Sequence, residues 1–253
     1  MKFLIRLIKG FFMALSMFSV IPAPRVWKDG PHHLMLPLLP VTGAIIGLSW
    51  YGFAVLLVWL SLPLILSAAL ILLFPLLMSG FLHLDGCMDT CDAIFSRAEL
   101  EKKRAILKDP NAGAFAVISA CVYFLLGFAA VYAALERGAD LMVLAFIPAL
   151  PRCVAGFAAL KIKLIWESGF VASFKKDTGR AHTAAVVVIC ALSASAGVFF
   201  GGVTALVVMG AALVAAALLC AYCVRQLKGI SGDLCGFIIT GGELFALLAL
   251  AVA

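Results

Sequence analysis

The stretch "GFLHLDGCMDTCDAIFSR", residues 80–97, decides how this chain is read. It closes the apolar run "LPLILSAALILLFPLLMSG", residues 62–80, and sets three carboxylates, Asp85, Asp89 and Asp92, at its end. On a helix of 3.6 residues per turn, positions spaced i, i+4, i+7 fall within an arc of about 60°. Three like charges on one face repel. In a partly dry setting they raise one another's pKa values or recruit a cation. Oxygen-only donors suit Mg²⁺ or Mn²⁺, and Mg²⁺ commonly completes its shell with substrate phosphates. The bland reading is an acidic, solvated helix end. A further reading takes His83, Cys87 and Cys91, also at helical spacing, as a zinc face, but no fourth ligand is evident.

Composition explains why these charges stand out. Of the 253 residues 65% are hydrophobic and 13% are charged, where a soluble domain carries about 25% charged residues. Several apolar runs reach the ~20 residues that a membrane-spanning helix needs, too long for barrel strands. The sequence therefore predicts an all-α polytopic membrane bundle, one domain over 1–253, without repeats, linkers or low-complexity tracts. Seven spans are expected near 37–60, 62–84, 113–135, 141–160, 183–200, 203–224 and 235–253. Residues 1–25 read as an interfacial amphipathic helix. Phe3, Leu4, Leu7, Ile8, Phe11 and Phe12 recur opposite Lys2, Arg6 and Lys9, and Pro22 and Pro24 end it. A retained signal anchor is the competing reading. The eight cysteines are scattered, mostly within apolar segments, and form no disulfide framework.

Basic residues set the orientation. Seventeen lie before span one or in alternate loops, including 85–112 and 161–182, against a single Arg137 in the opposite set. The positive-inside rule then places the N-terminus and these loops in the cytoplasm and the C-terminus outside. The net charge of +6 reports loops at an anionic leaflet of the lipid bilayer and calls for no nucleic acid. All chemically interesting loops share that side. "ILKDPNAGAFA" (106–116) supplies Lys108, Asp109 and Gly113; its plain alternative is a turn and helix start. "LKGISGDLCGFIITGGELFALL" (227–248) supplies Asp233 between glycines and Glu243 deep in the last span. Glu243 is costly in lipid unless it faces the interior, where Arg152 is a structural partner to consider. Asp233 either joins the carboxylate trio or caps the last helix.

Taken together these segments resemble the cobalamin synthase family. "HLDGCMDTCDAIF" is similar to its "HLDGLADTADG" signature. "FSVIPAP" (18–24), "PLLPVTGAIIG" (37–47), "ILKDPNAGAFA" and "KGISGDLCGFIITGGELFALL" resemble further family segments in the same order, and Pro151-Arg152 falls at the family's Ser-Arg. Val20, Cys87, Met88, Ala93, Pro110, Ala116 and Ser231 depart from the pattern, while every signature aspartate is kept. The resemblance implies adenosylcobinamide-GDP as donor and α-ribazole or its 5′-phosphate as acceptor. It further implies adenosylcobalamin or its 5′-phosphate and GMP as products, a Mg²⁺ requirement and residence in the bacterial inner membrane. A homo-oligomer is left open. On this reading Asp85, Asp89 and Asp92 hold metal against the diphosphate, and Asp89, Asp92 or Asp233 takes the hydroxyl proton. His83, Lys108, Asp109, Gly113, Arg152 and Glu243 are candidate substrate contacts, with Lys108 and Arg152 neutralising phosphate charge.

Two other functions compete. A CDP-alcohol phosphotransferase shares the chemistry, but its signature needs Ala-Arg where this chain has Cys87-Met88-Asp89-Thr90. An ion-coupled transporter would use Asp89, Asp233 and Glu243 as coupling carboxylates; it would show inverted repeats and midplane acids, neither of which is evident. The orientation is checked with reporters: one fused at the C-terminus registers outside, and one inserted near Lys102 registers cytoplasmic. Cytoplasmic signal from both would mean an even number of spans.

Overall fold

Apolar runs in lipid must satisfy their own backbone groups, and this chain does so with helices. The computed structural model describes residues 2–24, 26–27 and 30–253. Met1, Arg25, Lys28 and Asp29 lie outside the described residues, so two of the cations counted before span one are among them. Helix α1 covers Lys2–Phe18, and α2 covers Met35–Trp59 after a short 3-10 turn. Helices α3 (Leu64–Met78), α4 (Leu82–Phe95), α5 (Leu100–Ile106) and α6 (Ala114–Glu136) follow. Then come a 3-10 turn, α7 (Ala149–Lys161), α8 (Phe170–Lys175), α9 (Arg180–Leu227) and α10 (Gly232–Val252). Among the described residues the β structure is an isolated bridge between Leu164 and Ile230.

The chain is thus an all-helical, multi-pass membrane protein, but the expected count of seven is not reproduced. Five helical segments are long and apolar enough to cross a bilayer, and six if the bent pair α3–α4 counts as one. Two causes account for the difference. First, span two does not run on to residue 84. It breaks at Ser79, Gly80 and Phe81, where Gly80 and Phe81 take φ of +62° and +60°, and α4 leaves α3 at 91°. Second, the count takes the 48-residue α9 as one segment, although it holds both expected spans five and six. That helix breaks at Gly202, whose φ of +58° and ψ of −142° are not helical. A straight helix would put Gly197 and Met209 about 18 Å apart. Here a Cβ at Gly197 would collide with the Met209 sulfur, and Ala194 and Leu213 share one groove. The two halves of α9 therefore pack against each other.

The expected loops need correction too. Residues 85–112 hold most of α4 and all of α5, and 161–182 holds α8. Helix α1 ends at Phe18, before Pro22. Its first turns expose Phe3, Leu4, Ile5, Leu7 and Ile8, while Met13, Ala14 and Leu15 are buried, as an interfacial helix requires when its second half docks on the bundle.

Contacts sort the ends into two faces. The His33 and His182 rings lie 5.3 Å apart, Arg104 Nη2 donates to Leu227 O at 3.0 Å, and Ile230 N donates to Lys163 O at 2.9 Å. These bring both ends of α9 and the start of α10 to one face. At the other, Arg137 Nη1 donates to Ala251 O at 3.0 Å. Between them the core is tight. Trp50, wholly buried, donates its indole N–H to Ile71 O at 2.7 Å, which satisfies the one polar atom it carries into the interior.

Helix α4 sits against α10 and α6 at the first of these faces. A Cβ at Gly236 would lie 2.6 Å from His83 O and 3.2 Å from Gly86 Cα. Gly236→Val should therefore push α4 off α10 and destabilise the fold by about 1–3 kcal/mol, the usual cost of overpacking. The denaturation midpoint of the detergent-purified protein measures it.

Candidate active site

The site begins with a periodicity that the structure keeps. Asp85, Asp89 and Asp92 all belong to α4, so they share its face. Asp85 is exposed, and Asp89 and Asp92 are half-buried. The start of α10 completes the group. A Cβ at Gly86 would lie 2.7 Å from Asp233 Cα, a backbone contact that only a residue without a side chain allows. Asp233 thus stands beside the trio across about 140 residues of sequence, and the charges of Asp85, Asp92 and Asp233 all bear on Asp89. The cap is present as well, but Ser231 makes it: its hydroxyl accepts from Leu234 N at 3.4 Å and donates to Asp233 Oδ2 at 3.2 Å.

The loop before α6 closes the other end. The Asp92 carboxylate packs so closely on Gly113 that a Cβ there would overlap it. Asp109 accepts from the Asn111 backbone N–H at 2.9 Å and from its side-chain amide at 2.8 Å. These bonds, the backbone one first, hold the Asp109 carboxyl below its ordinary pKa. Its role here is to shape the turn. Lys108 is exposed and sets its ammonium 4.8 Å from the centre of the Trp166 ring, a cation–π contact.

Arg152 and Glu243 do not reach the carboxylate face. Arg152 is 1% exposed. Its Nη1 donates to Glu243 Oε1 and to Pro148 O. Glu243 sits ten positions beyond Asp233 on the same helix, about 15 Å along its axis. The pair is the internal ion pair weighed above as the structural alternative. His83 is buried close enough to Arg152 to feel its charge. Four buried polar atoms around this region, His83 Nε2, Thr90 Oγ1, Arg152 Nε and Thr240 Oγ1, have no hydrogen-bond partner among the described residues.

Two cavities meet at Asp233. One of about 170 Å³ runs between α1, α4, α8 and α10, with Phe18, His83, Asp85, Phe170, Phe174 and Asp233 in its wall. The other, about 190 Å³, is lined by Trp166, Gly169, Phe170, Ser231 and Asp233. Sequence reading missed Trp166 and the three phenylalanines, because aromatic residues in so apolar a chain carry no distinctive signal. The i, i+4 pair Phe170 and Phe174, in an otherwise polar loop, was the one available clue.

The four carboxylates pass a chemical test for a hard divalent cation, since every donor is oxygen. Among the described residues no three His, Cys, Asp or Glu groups are gathered tightly enough to hold an ion by themselves. Substrate oxygens would have to complete the shell. That test leaves the zinc face of His83, Cys87 and Cys91 without a cluster as well.

Fold and site together define a class: a multi-pass membrane protein that sets carboxylates, a lysine and two cavities at one face. The Cobalamin-5-phosphate synthase family matches residues 10–251, and the chain belongs to that family. Among similar proteins, an adenosylcobinamide-GDP ribazoletransferase of Clostridium perfringens (strain 13 / Type A) is 37% identical over 245 residues, 96% of this chain and 98% of the relative. Proteins of the same description from Lachnoclostridium phytofermentans and Geobacillus kaustophilus are each 32% identical. The former covers 97% of this chain and 94% of its own length, the latter 92% of each. No solved structure matches.

The internal ion pair yields a stability test. Arg152→Met or Glu243→Leu alone leaves a buried partner uncompensated and should cost about 3–5 kcal/mol. Arg152→Met combined with Glu243→Leu should recover most of that loss. Denaturation midpoints of the three variants measure the coupling, and simple additivity would mean that the pair contributes nothing jointly.

Proposed function

We propose that this chain is an adenosylcobinamide-GDP ribazoletransferase of cobalamin biosynthesis, working at the cytoplasmic face of the bacterial inner membrane. The donor is adenosylcobinamide-GDP, and the acceptor is α-ribazole or its 5′-phosphate. One observation carries the reading. In a chain of this family, Gly86 brings Asp233 against the helix that bears Asp85, Asp89 and Asp92. Asp85 and Asp233 then line one cavity, with Asp89 and Asp92 further along the helix that bears Asp85.

The chemistry follows from charge and proton balance. A ribose hydroxyl of the acceptor attacks the phosphorus attached to cobinamide. The bond from that phosphorus to the bridging oxygen breaks, and GMP leaves with the electron pair. Asp233 accepts the hydroxyl proton on this reading, which its position in the wall of both cavities supports. Asp85, Asp89 and Asp92 are the residues that would hold Mg²⁺, which when bound neutralises diphosphate charge. Lys108, fixed by Trp166, supplies a second positive charge at the rim. Arg152 and Glu243 act from the interior and keep the helices in register. Such transfer depends mostly on positioning and electrostatics, which suits a site built from rigid helix ends.

The test is direct. Proteoliposomes given adenosylcobinamide-GDP and α-ribazole should release GMP and form adenosylcobalamin in a Mg²⁺-dependent manner, and EDTA should stop turnover. Asp89→Asn should lower kcat at least about a hundredfold while the protein still purifies as wild type, since it removes charge without changing shape. Substantial Mg²⁺-dependent activity in that variant would take Asp89 out of the site.

A further inference from the structure

We propose that the cavity between α1, α4, α8 and α10 is the subsite for the flat heteroaromatic base of the acceptor nucleoside. The proposal rests on the transferase reading above and names which part of which substrate this cavity takes.

The walls argue for an aromatic guest. The Phe18 ring lies 6.4 Å from Phe174, edge to face, and 6.5 Å from the His83 ring, nearly parallel to it. Phe170 stands 6.2 Å from Phe174 at the mouth. Leu36 and Leu39 close the apolar side. Rings in these orientations favour a further ring, offset-stacked or edge-on. A dry cavity of ~150 Å³ lined by Leu, Ile and Phe is known to hold benzene. At about 170 Å³, with an open mouth at Phe170, this one has room for one fused bicyclic ring.

A second observation is independent of shape. His83 is 7% exposed, lines this cavity, and its Nε2 has no hydrogen-bond partner among the described residues. A buried donor or acceptor without a partner is costly, so a ligand that satisfies it gains affinity. A benzimidazole base attached to ribose through one ring nitrogen keeps the other free as an acceptor. His83, in the tautomer with hydrogen on Nε2, would donate to it. An acyl chain would fill the apolar walls but leave His83 unpaired.

The polar end then falls in place. Asp85 and Asp233 line the same cavity, and Asp233 also lines the second one. A base seated among the phenylalanines directs its ribose toward Asp233, the residue assigned to take the hydroxyl proton. Base and reacting hydroxyl are thereby held by one rigid nucleoside, which is how a binding subsite contributes to orientation.

Two measurements on full-length protein in proteoliposomes test this. Phe170 is 66% exposed, so Phe170→Ala spares the core. It should raise KM for α-ribazole by about tenfold, equal to about 1.4 kcal/mol of lost binding, and leave KM for adenosylcobinamide-GDP unmoved. The second is a cycle between His83→Leu and an indole riboside that has carbon in place of the free ring nitrogen, read as equilibrium binding of the nucleoside. Either change alone should weaken binding by about tenfold, and the two together by no more than one alone. Losses that add, an acceptor KM unchanged by Phe170→Ala, or a rise in the donor KM instead, would overturn the base subsite. Wild-type protein that makes no cobalamin from any ribazole acceptor would overturn the transferase reading itself.

Discussion

Two glycines, Gly86 on α4 and Gly236 on α10, let these helices meet backbone to backbone. Asp233 Cα and His83 O would each lie under 3 Å from a side-chain carbon placed at those positions. The carboxylate face, the Asp233 position and the buried His83 all depend on this contact. Were the helices separated by an ordinary interhelical distance of 8–10 Å, Asp233 would leave the trio and His83 would lose its place in the cavity wall. The contact is also why α4 can be so polar. Its acidic face needs no partner of its own, because the opposite face, with Gly86, Thr90, Cys91 and Ala93, is buried against the bundle.

The contact could not form if α3 and α4 were one straight span. The turn at Ser79, Gly80 and Phe81 supplies the 91° change of direction. It holds a phenylalanine in the left-handed region, a conformation that costs of order 1–3 kcal/mol for such a residue. Strain of that size persists where packing over-determines it. Here α4 is held on one side by α10 and on another by α6, with Asp92 against Gly113. Deeper in the bundle the Arg152–Glu243 pair locks α7 to α10. This pair is a poor candidate for a phosphate clamp, since a guanidinium already neutralised and enclosed offers no charge to an incoming anion. Its contribution is register: it fixes how far α10 is pushed toward the face where Asp233 must stand.

What the sequence made legible follows from which signals are local. Hydropathy marked most of the spans to within a few residues, because crossing a bilayer demands a run of fixed length, but it carried the second past its bend at Ser79. The spacing of Asp85, Asp89 and Asp92 marked a shared helix face, because 3.6 residues per turn is a property of the backbone and not of context. The glycines before Asp233 suggested a close approach, but Gly86 and Gly236 make it, while a Cβ at Gly232 would meet only Val171 at 3.7 Å. The misses are tertiary. Nothing in "LMSGFLH" separates a bend from a continuation, since Gly in an apolar helix is tolerated. The pairing of Gly197 with Met209 is invisible until the fold-back at Gly202 is known. Lys108 and Asp109 look alike as loop residues, yet one stacks on Trp166 and the other ties down Asn111. The aromatic wall draws on positions 18, 83, 170 and 174, which no local pattern connects.

Helix α1 joins membrane attachment to the site. Its leading turns expose a row of large apolar residues suited to the lipid boundary, while Phe18 at its end forms part of the cavity wall. Val20 N then donates to Met78 O at 2.9 Å, so the chain leaving α1 is tied to the end of α3, one residue before the bend. The same short segment thus presents an exposed apolar row and touches both the cavity and the turn that sets the direction of α4. An amphipathic helix attached only through lipid would drift relative to the bundle. Pinned at Met13, Ala14 and Phe18 in the core and at Val20 on the backbone, α1 becomes a fixed wall whose outer face happens to be wetted by lipid. The depth of the site in the membrane is therefore set by protein packing, and the bilayer has only to accept the exposed turns where that packing leaves them.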